Sequence, residues 1–326
     1  MSMGQTGSKE ELGNRAARKI AVTGVGYWPE GLADLEEAGY ELWKLGEVNW
    51  DEMGDEAFSG LVGYVHGGNE YLDEVFFSRA HDMVCVGFLG SGFTNYIDGA
   101  AAERHGVKVA STPDGLTNAV AEHTVGMILD QTRALLATNV GSDGTSLVAV
   151  GETRELAELE VGVIGLGRIG RRIAEMLTLG FDCPVSYWSR TRREVEEQRL
   201  GISYKSLDEL VKSSDVLVVM VALDDETRYM VDAALLGKAK PGVIVINTST
   251  PMLVDPAALA EALASGQVAS AAFDGLHPAS TPGLEALEAW LGTEKLAVTR
   301  HAAWQTSRAA KQMTISAVHQ LIEAFA

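Results

Sequence analysis

Between Val161 and Leu177 the chain reads VGVIGLGRIGRRIAEML, and no other segment restricts its fold as tightly. A short apolar run of strand type leads into Gly165, Gly167 and Gly170, and a helical pattern follows. Each glycine of this G-x-G-x-x-G spacing has its own steric reason. The first permits a tight turn, the second lets the backbone approach a pyrophosphate, and the third lets helix and strand pack closely. Phosphates then face the amides and positive dipole end of the helix that Arg168 and Ile169 begin. Glycine spacing alone is a weak signal. Here the strand before it, the helix after it and further alternating elements together point to dinucleotide binding.

The next strand bears on which dinucleotide. It reads PVSYWSRTRRE and ends in Ser189, Arg190, Thr191 and Arg192, with no carboxylate at the turn. An Asp or Glu there would accept hydrogen bonds from the adenosine ribose and repel a 2′-phosphate. Arginine and serine donate to that phosphate instead. The expected cofactor is NADPH, with NADH as second choice, and Ser189, Arg190 and Thr191 are its adenosine-end contacts.

Strand and helix signals alternate elsewhere too. KIAVTGV (19–25), GLVGYVH (60–66), MVCVGFLG (83–90) and VKVAST (107–112) read as strands. EGLADLEEAGYELWKL reads as one amphipathic helix, and IDGAAAERHG as a helix closed by Gly106. A long helix is expected from Val120, followed by the breaker NVGSDGTSL. Six strand-like runs then follow: EVGVIGLG, CPVSYWS, DVLVVMV, GVIVINT, VASAAFD and KLAVTRH. A last amphipathic helix is RAAKQMTISAVHQLIEAFA. Such alternation implies mostly parallel, doubly wound α/β sheets, which bind ligands beyond the carboxyl ends of their strands.

At 326 residues, two domains are expected. No apolar run approaches membrane-span length, and the N-terminal segment lacks an apolar signal-peptide core, so a cytoplasmic protein is expected. The net charge of −19 argues against nucleic acid or acidic membranes as partners. Cys85 and Cys183 read as reduced, buried thiols rather than a disulfide or metal site. The expected partner is a small-molecule substrate, and no metal is called for.

Five segments, in order, carry a resemblance to a known family: GVKVASTPDGLTNAVAEHTVGMIL, GVIGLGRIG, DETRYMVDAALLGKAKPGVIVINTS, AAFDGLHP and TRHAAWQT. Together they resemble the D-isomer-specific 2-hydroxyacid dehydrogenases over nearly the whole chain. The resemblance implies a Rossmann-type cofactor domain (118–304) inserted into a flavodoxin-like substrate domain (1–117 and 305–326). It implies a homodimer formed through the cofactor domain, for which the NVGSDGTSL segment would serve as an arm. It also places Thr117, Val221, Thr227, Thr248 and Asp274 against the cofactor, Asp274 near the nicotinamide carboxamide.

The family's reaction uses a histidine that protonates the carbonyl oxygen, a glutamate that keeps it charged, and an arginine that grips the substrate carboxylate. His301 in RHAAW matches the histidine, with Arg300 where proline is usual. Imidazole suits this work near neutral pH. His277 stands where the glutamate belongs, in the shortened DGLHP, and cannot raise a neighbouring imidazole's pKa by negative charge. Thr250 stands where the arginine belongs and offers one neutral hydrogen bond in place of a bidentate fork. Candidate compensating contacts to substrate are His66, Gly90 and Ser91 of the first region, with Arg300 and Trp304 beside His301. The resulting expectation is an NADPH-dependent reductase of a 2-keto acid or a related small metabolite, with His301 as proton donor. Two other readings stay open: a catalytically weak or inactive NAD(P)-binding regulatory protein, and a reductase of an imine or activated alkene.

Overall fold

The computed structural model describes residues 18–135, 153–276 and 281–326. The chain forms two compact units, one of residues 1–116 with 306–326 and one of residues 117–305. Against the expected junctions, Thr117 and Gln305 fall into the second unit.

The first unit is built on five parallel strands: β1 (Lys19–Val22), β2 (Glu41–Lys44), β3 (Leu61–His66), β4 (Cys85–Phe88) and β5 (Lys108–Ser111), in the order β2-β1-β3-β4-β5. This is the flavodoxin-like winding. Strands β3 and β4 are buried along their whole length, as runs covered on both faces must be. On one face lie Trp50, Phe58, Phe76 and Phe77 around Tyr64. The other receives the helix Ser307–Phe325, the last element of the chain. Glycine in two strands lets that helix come close. A Cβ on Gly63 would lie 2.7 Å from Phe325 Cζ, and one on Gly87 would lie 3.0 Å from Ala317 Cβ. Polar ties add register: Trp28 N donates to Thr314 Oγ1 at 2.8 Å, and Gln320 Nε2 to Ser111 O at 3.2 Å.

The second unit holds seven parallel strands: β6 (Val161–Ile164), β7 (Val185–Trp188), β8 (Ser203–Tyr204), β9 (Val216–Val219), β10 (Val243–Asn247), β11 (Val268–Asp274) and β12 (Leu296–Thr299). Their order is β12-β11-β10-β9-β6-β7-β8. Two apolar clusters sandwich this sheet, one including Ile173 and Leu177 of the helix Arg168–Phe181, the other Leu259 and Leu263 of the helix Pro256–Ser265. With every strand parallel, all carboxyl ends share one edge. The order reverses between β6 and β9, so that edge has its switch point beside Gly165. No helix among the described residues is long and apolar enough to cross a membrane.

Three expectations need correction. The segment 30–45 is not one helix: a short helix Ala33–Glu37 ends before Gly39 (φ 86°), and Glu41–Lys44 is edge strand β2. A left-handed glycine stops a helix whatever apolar spacing continues past it. The two-residue edge strand β8 has no apolar pattern and adds a seventh member to the expected six. The long helix begins at Pro113 rather than Val120, because proline is tolerated in a first turn that lacks intrahelical partners.

The close approach at Gly87 gives a direct test of the discontinuous first unit. Gly87→Val should destabilise that unit by about 1–3 kcal/mol through overpacking against Ala317. Denaturant unfolding, followed by fluorescence of the Trp43 and Trp50 cluster, measures it; an unchanged midpoint would contradict this packing.

Candidate active site

The glycine loop leaves the end of β6 with Gly165 at φ 107°, where a Cβ would lie 2.4 Å from Met220 O. A Cβ on Gly170 would lie 2.1 Å from Gly165 O, so helix and loop close only without one. Gly167 differs. It is the N-cap residue of the Arg168–Phe181 helix, its φ of −75° is ordinary, and a Cβ there meets nothing within 4 Å. Packing therefore demands glycine at 165 and 170, and only a ligand's approach demands it at 167. A pyrophosphate fits this cradle: open space over backbone, at the amide end of a fourteen-residue helix.

At the same sheet edge, the ends of β11 and β12 build a turn around His301. Its φ is 53°, a conformation that costs a non-glycine residue on the order of 1 kcal/mol or more. Asp274, only 4% exposed at the end of β11, holds the turn. Its Oδ1 accepts from Ala302 N at 2.7 Å and from Thr299 Oγ1 at 2.6 Å, and its Oδ2 accepts from Ala303 N at 2.9 Å. Hydrogen bonds to a charged group contribute roughly 1.5–3 kcal/mol each, so two amide bonds outweigh the strain. Gln305 Nε2 donates to His301 O at 3.2 Å. Gly275, at φ 88°, lies against the imidazole, and a Cβ on it would stand 3.1 Å from His301 Cβ. Asp274, expected as a cofactor contact, thus has both oxygens committed to the His301 turn. The sequence reading missed Gly275, Thr299 and Gln305, whose signal in one sequence is no more than proximity to His301.

Other expected contacts in this unit have turned their side chains inward. The Thr248 hydroxyl donates to Thr124 Oγ1 at 2.6 Å, since Thr124 itself donates to Val120 O. The buried Thr227 hydroxyl braces its loop, donating to Ala222 O at 2.7 Å and accepting from Asp224 N at 2.8 Å. Val221 packs beside Gly165, and Ile169 against the core. Thr117 begins this unit in the long helix, and Arg168 is exposed at the start of the glycine-loop helix.

After β7, Ser189 Oγ donates to Thr191 O at 2.6 Å, and Arg190 and Thr191 are exposed. Arg190 pairs with Asp224 Oδ2 at 2.6 Å and Glu226 Oε2 at 3.3 Å. Its guanidinium holds the Asp224 carboxyl below the usual range. Arg192 pairs through two hydrogen bonds with Glu197. The sequence reading saw arginines without carboxylates; the carboxylates come from the loop after β9 and the next helix.

Thr250 lies in a loop braced by Asn247, whose Nδ2 donates to Thr250 O at 2.9 Å and whose Oδ1 accepts from Ser249 N at 3.0 Å. Arg300 is exposed and Trp304 half-buried beside His301. His277 and the whole NVGSDGTSL segment (139–147) lie outside the described residues.

In the first unit two candidates are corrected. His66 is fully buried at the end of β3. Its Nε2 lies 3.0 Å from Glu70 O, and the rings of Tyr64 and Phe88 flank it. Burial lowers its pKa, against the upward pull of the Glu70 carboxylate. It is a core imidazole in this structure, not a surface facing a ligand. The amide of Gly90 is also engaged, donating to Phe88 O at 2.9 Å and Thr112 Oγ1 at 3.1 Å. Ser91, one residue on, is exposed.

A glycine cradle at the switch point of a parallel sheet, with the His301 turn four strands along the same edge, defines a Rossmann-type dinucleotide domain. The sequence matches the model for the D-isomer specific 2-hydroxyacid dehydrogenase NAD binding domain over residues 125–303, more than half its length. The chain belongs to that family. It is 34% identical over 220 residues to a glyoxylate reductase from Pyrococcus furiosus, a match that spans 63% of each chain and so less than two thirds of that relative. Its fold is similar to that of D-lactate dehydrogenase from Aquifex aeolicus, solved with NAD and lactic acid (TM-score 0.83, 25% identity, 94% of this chain and 95% of that one). It is similar also to the NADPH-dependent glyoxylate/hydroxypyruvate reductase from Sinorhizobium meliloti, solved with NADP and malonate (TM-score 0.79, 26% identity, 95% and 94%).

The three glycines separate binding from packing. Gly167→Ala should leave the melting temperature unchanged and weaken dinucleotide affinity at least about ten-fold, whereas Gly170→Ala should lower the melting temperature. Thermal unfolding and cofactor titration by fluorescence measure the two; equal loss of stability in both variants would contradict the assignment.

Proposed function

We propose that the chain is an NADPH-dependent reductase of a small 2-keto acid of the glyoxylate class. The observation that carries this reading is the His301 turn, pinned by Asp274 at the sheet edge that also holds the glycine cradle. Bound nicotinamide supplies the hydride. The amides at the start of the Arg168–Phe181 helix hold the pyrophosphate. His301 gives its proton to the carbonyl oxygen as charge develops there, and Asp274 holds the backbone that carries the imidazole. With Thr250 in place of a cationic fork, Arg300 is the proposed cation toward the substrate carboxylate, with Trp304 its apolar neighbour. Support for NADPH comes from Ser189, Arg190 and Thr191. Arg190 would exchange an exposed Asp224 partner, weak in water, for a dianionic phosphate.

Turnover tests both parts. The protein should oxidise NADPH with glyoxylate or hydroxypyruvate, followed by loss of reduced-cofactor absorbance, and His301→Ala should lower kcat by about 100-fold or more. Arg190→Ala should weaken NADPH much more than NADH. Tight cofactor binding with no turnover on 2-keto acids would favour a binding protein, and turnover on imines alone would move the substrate class.

We also infer a homodimer through the second unit and a cytosolic setting. Val125 and Leu129 of the long helix and Met176, Leu179 and Phe181 of the glycine-loop helix line a groove, with Leu179 68% and Phe181 38% exposed. Both thiols are buried and unpaired, pushed up to about 11 at Cys85 and about 12 at Cys183 by burial, which suits a reducing compartment. Leu179→Glu should convert a dimer to a monomer in light scattering; a wild-type monomer would end the dimer proposal.

A further inference from the structure

His123 stands in the Pro113–Arg133 helix, and the reaction proposed above does not use it. Its Nε2 lies 3.1 Å from Thr299 Oγ1. The Thr299 hydroxyl gives its proton to Asp274 Oδ1 at 2.6 Å, so its oxygen is left to accept, and the imidazole N–H is the donor. The same Nε2 is 4.0 Å from Asp274 Oδ1. Asp274 in turn holds the amides of Ala302 and Ala303, which follow His301 directly. The path therefore runs from a helix, through the last residue of β12, to the end of β11, and finishes on the backbone of the proton donor.

A threonine hydroxyl rotates among staggered positions and donates to whichever acceptor suits it. An N–H placed on its lone pair selects the rotor that points at Asp274. That third donor fixes the Asp274 carboxylate more firmly than two amides alone, and the carboxylate fixes a backbone held at positive φ. We propose that His123 is a positioning residue for His301, acting through the Thr299 hydroxyl and the Asp274 carboxylate. This inference rests on the reading of His301 as proton donor.

The test compares full-length wild type with His123→Ala, His123→Gln, Thr299→Val and Thr299→Ser, using NADPH and glyoxylate as probes. His123→Ala and Thr299→Val should each lower kcat about ten-fold with NADPH affinity unchanged, since a small misplacement of a reacting group is enough for such a loss. The His123→Ala/Thr299→Val double variant should be no worse than either single one, because both cut one path. His123→Gln, which keeps an N–H near the place of Nε2, and Thr299→Ser should recover most of the rate. Without cofactor, hydrogen–deuterium exchange of the peptide carrying Ala302 and Ala303 should quicken in His123→Ala and Thr299→Val and stay at the wild-type rate in His123→Gln. Unchanged kcat and exchange in His123→Ala, a Gln variant no better than Ala, or fully additive losses would each overturn the proposal. If wild type does not turn over, or does so independently of His301, the reading of His301 fails, while the exchange measurement still decides whether His123 holds the turn.

Discussion

A carboxylate taking two successive backbone amides is the interaction on which the candidate site depends. Asp274 spends both oxygens on the residues that follow His301, and so keeps that imidazole in a backbone conformation an ordinary loop would leave. Everything nearby accommodates it. Gly275 yields the space a side chain would need, Thr299 brings a third donor, and Gln305 ties down the His301 carbonyl. A buried carboxylate so used leaves neither oxygen without a hydrogen-bond partner.

This arrangement bears on the two altered positions. By the family resemblance, His277 stands at the position of a glutamate and Thr250 at that of an arginine. The structure retains a His301 turn held by Asp274 and, farther along the same sheet edge, a glycine cradle. Hydride chemistry belongs to the bound coenzyme, so aim and one proton are the minimum a protein must add.

The sequence made the architecture legible because both sheets are parallel and covered on both faces, so their strands read as continuous apolar runs closed by glycine. The pieces it concealed lie at edges. β2 and β8 are half-exposed or exposed and carry no apolar run, and β2 hides inside a helix-like pattern that Gly39 cuts short. At the site, the glycines were legible because steric need fixes residue types at fixed spacing, whereas His301 was reached only through the family resemblance. Thr227 and Thr248 are expected cofactor contacts, yet the Thr227 hydroxyl braces its own loop and the Thr248 hydroxyl bonds Thr124 of the long helix, and spacing does not encode a rotamer. His66 misled for a related reason: a strand end beside glycines reads as a ligand edge, but the Tyr64 and Phe88 rings close over it. Contacts between distant segments, such as Arg190 with Asp224 or His123 with Thr299, have no signature in a single chain.

The first unit is completed by a helix that the ribosome delivers only after the whole second unit has been made. Until Ser307–Phe325 emerges, Gly63 and Gly87 present one uncovered face of β3 and β4. The intervening unit, continuous in the chain, meets no such delay. Synthesis thus lets the dinucleotide unit complete its contacts first, while the nascent five-stranded sheet waits half-built with one face open.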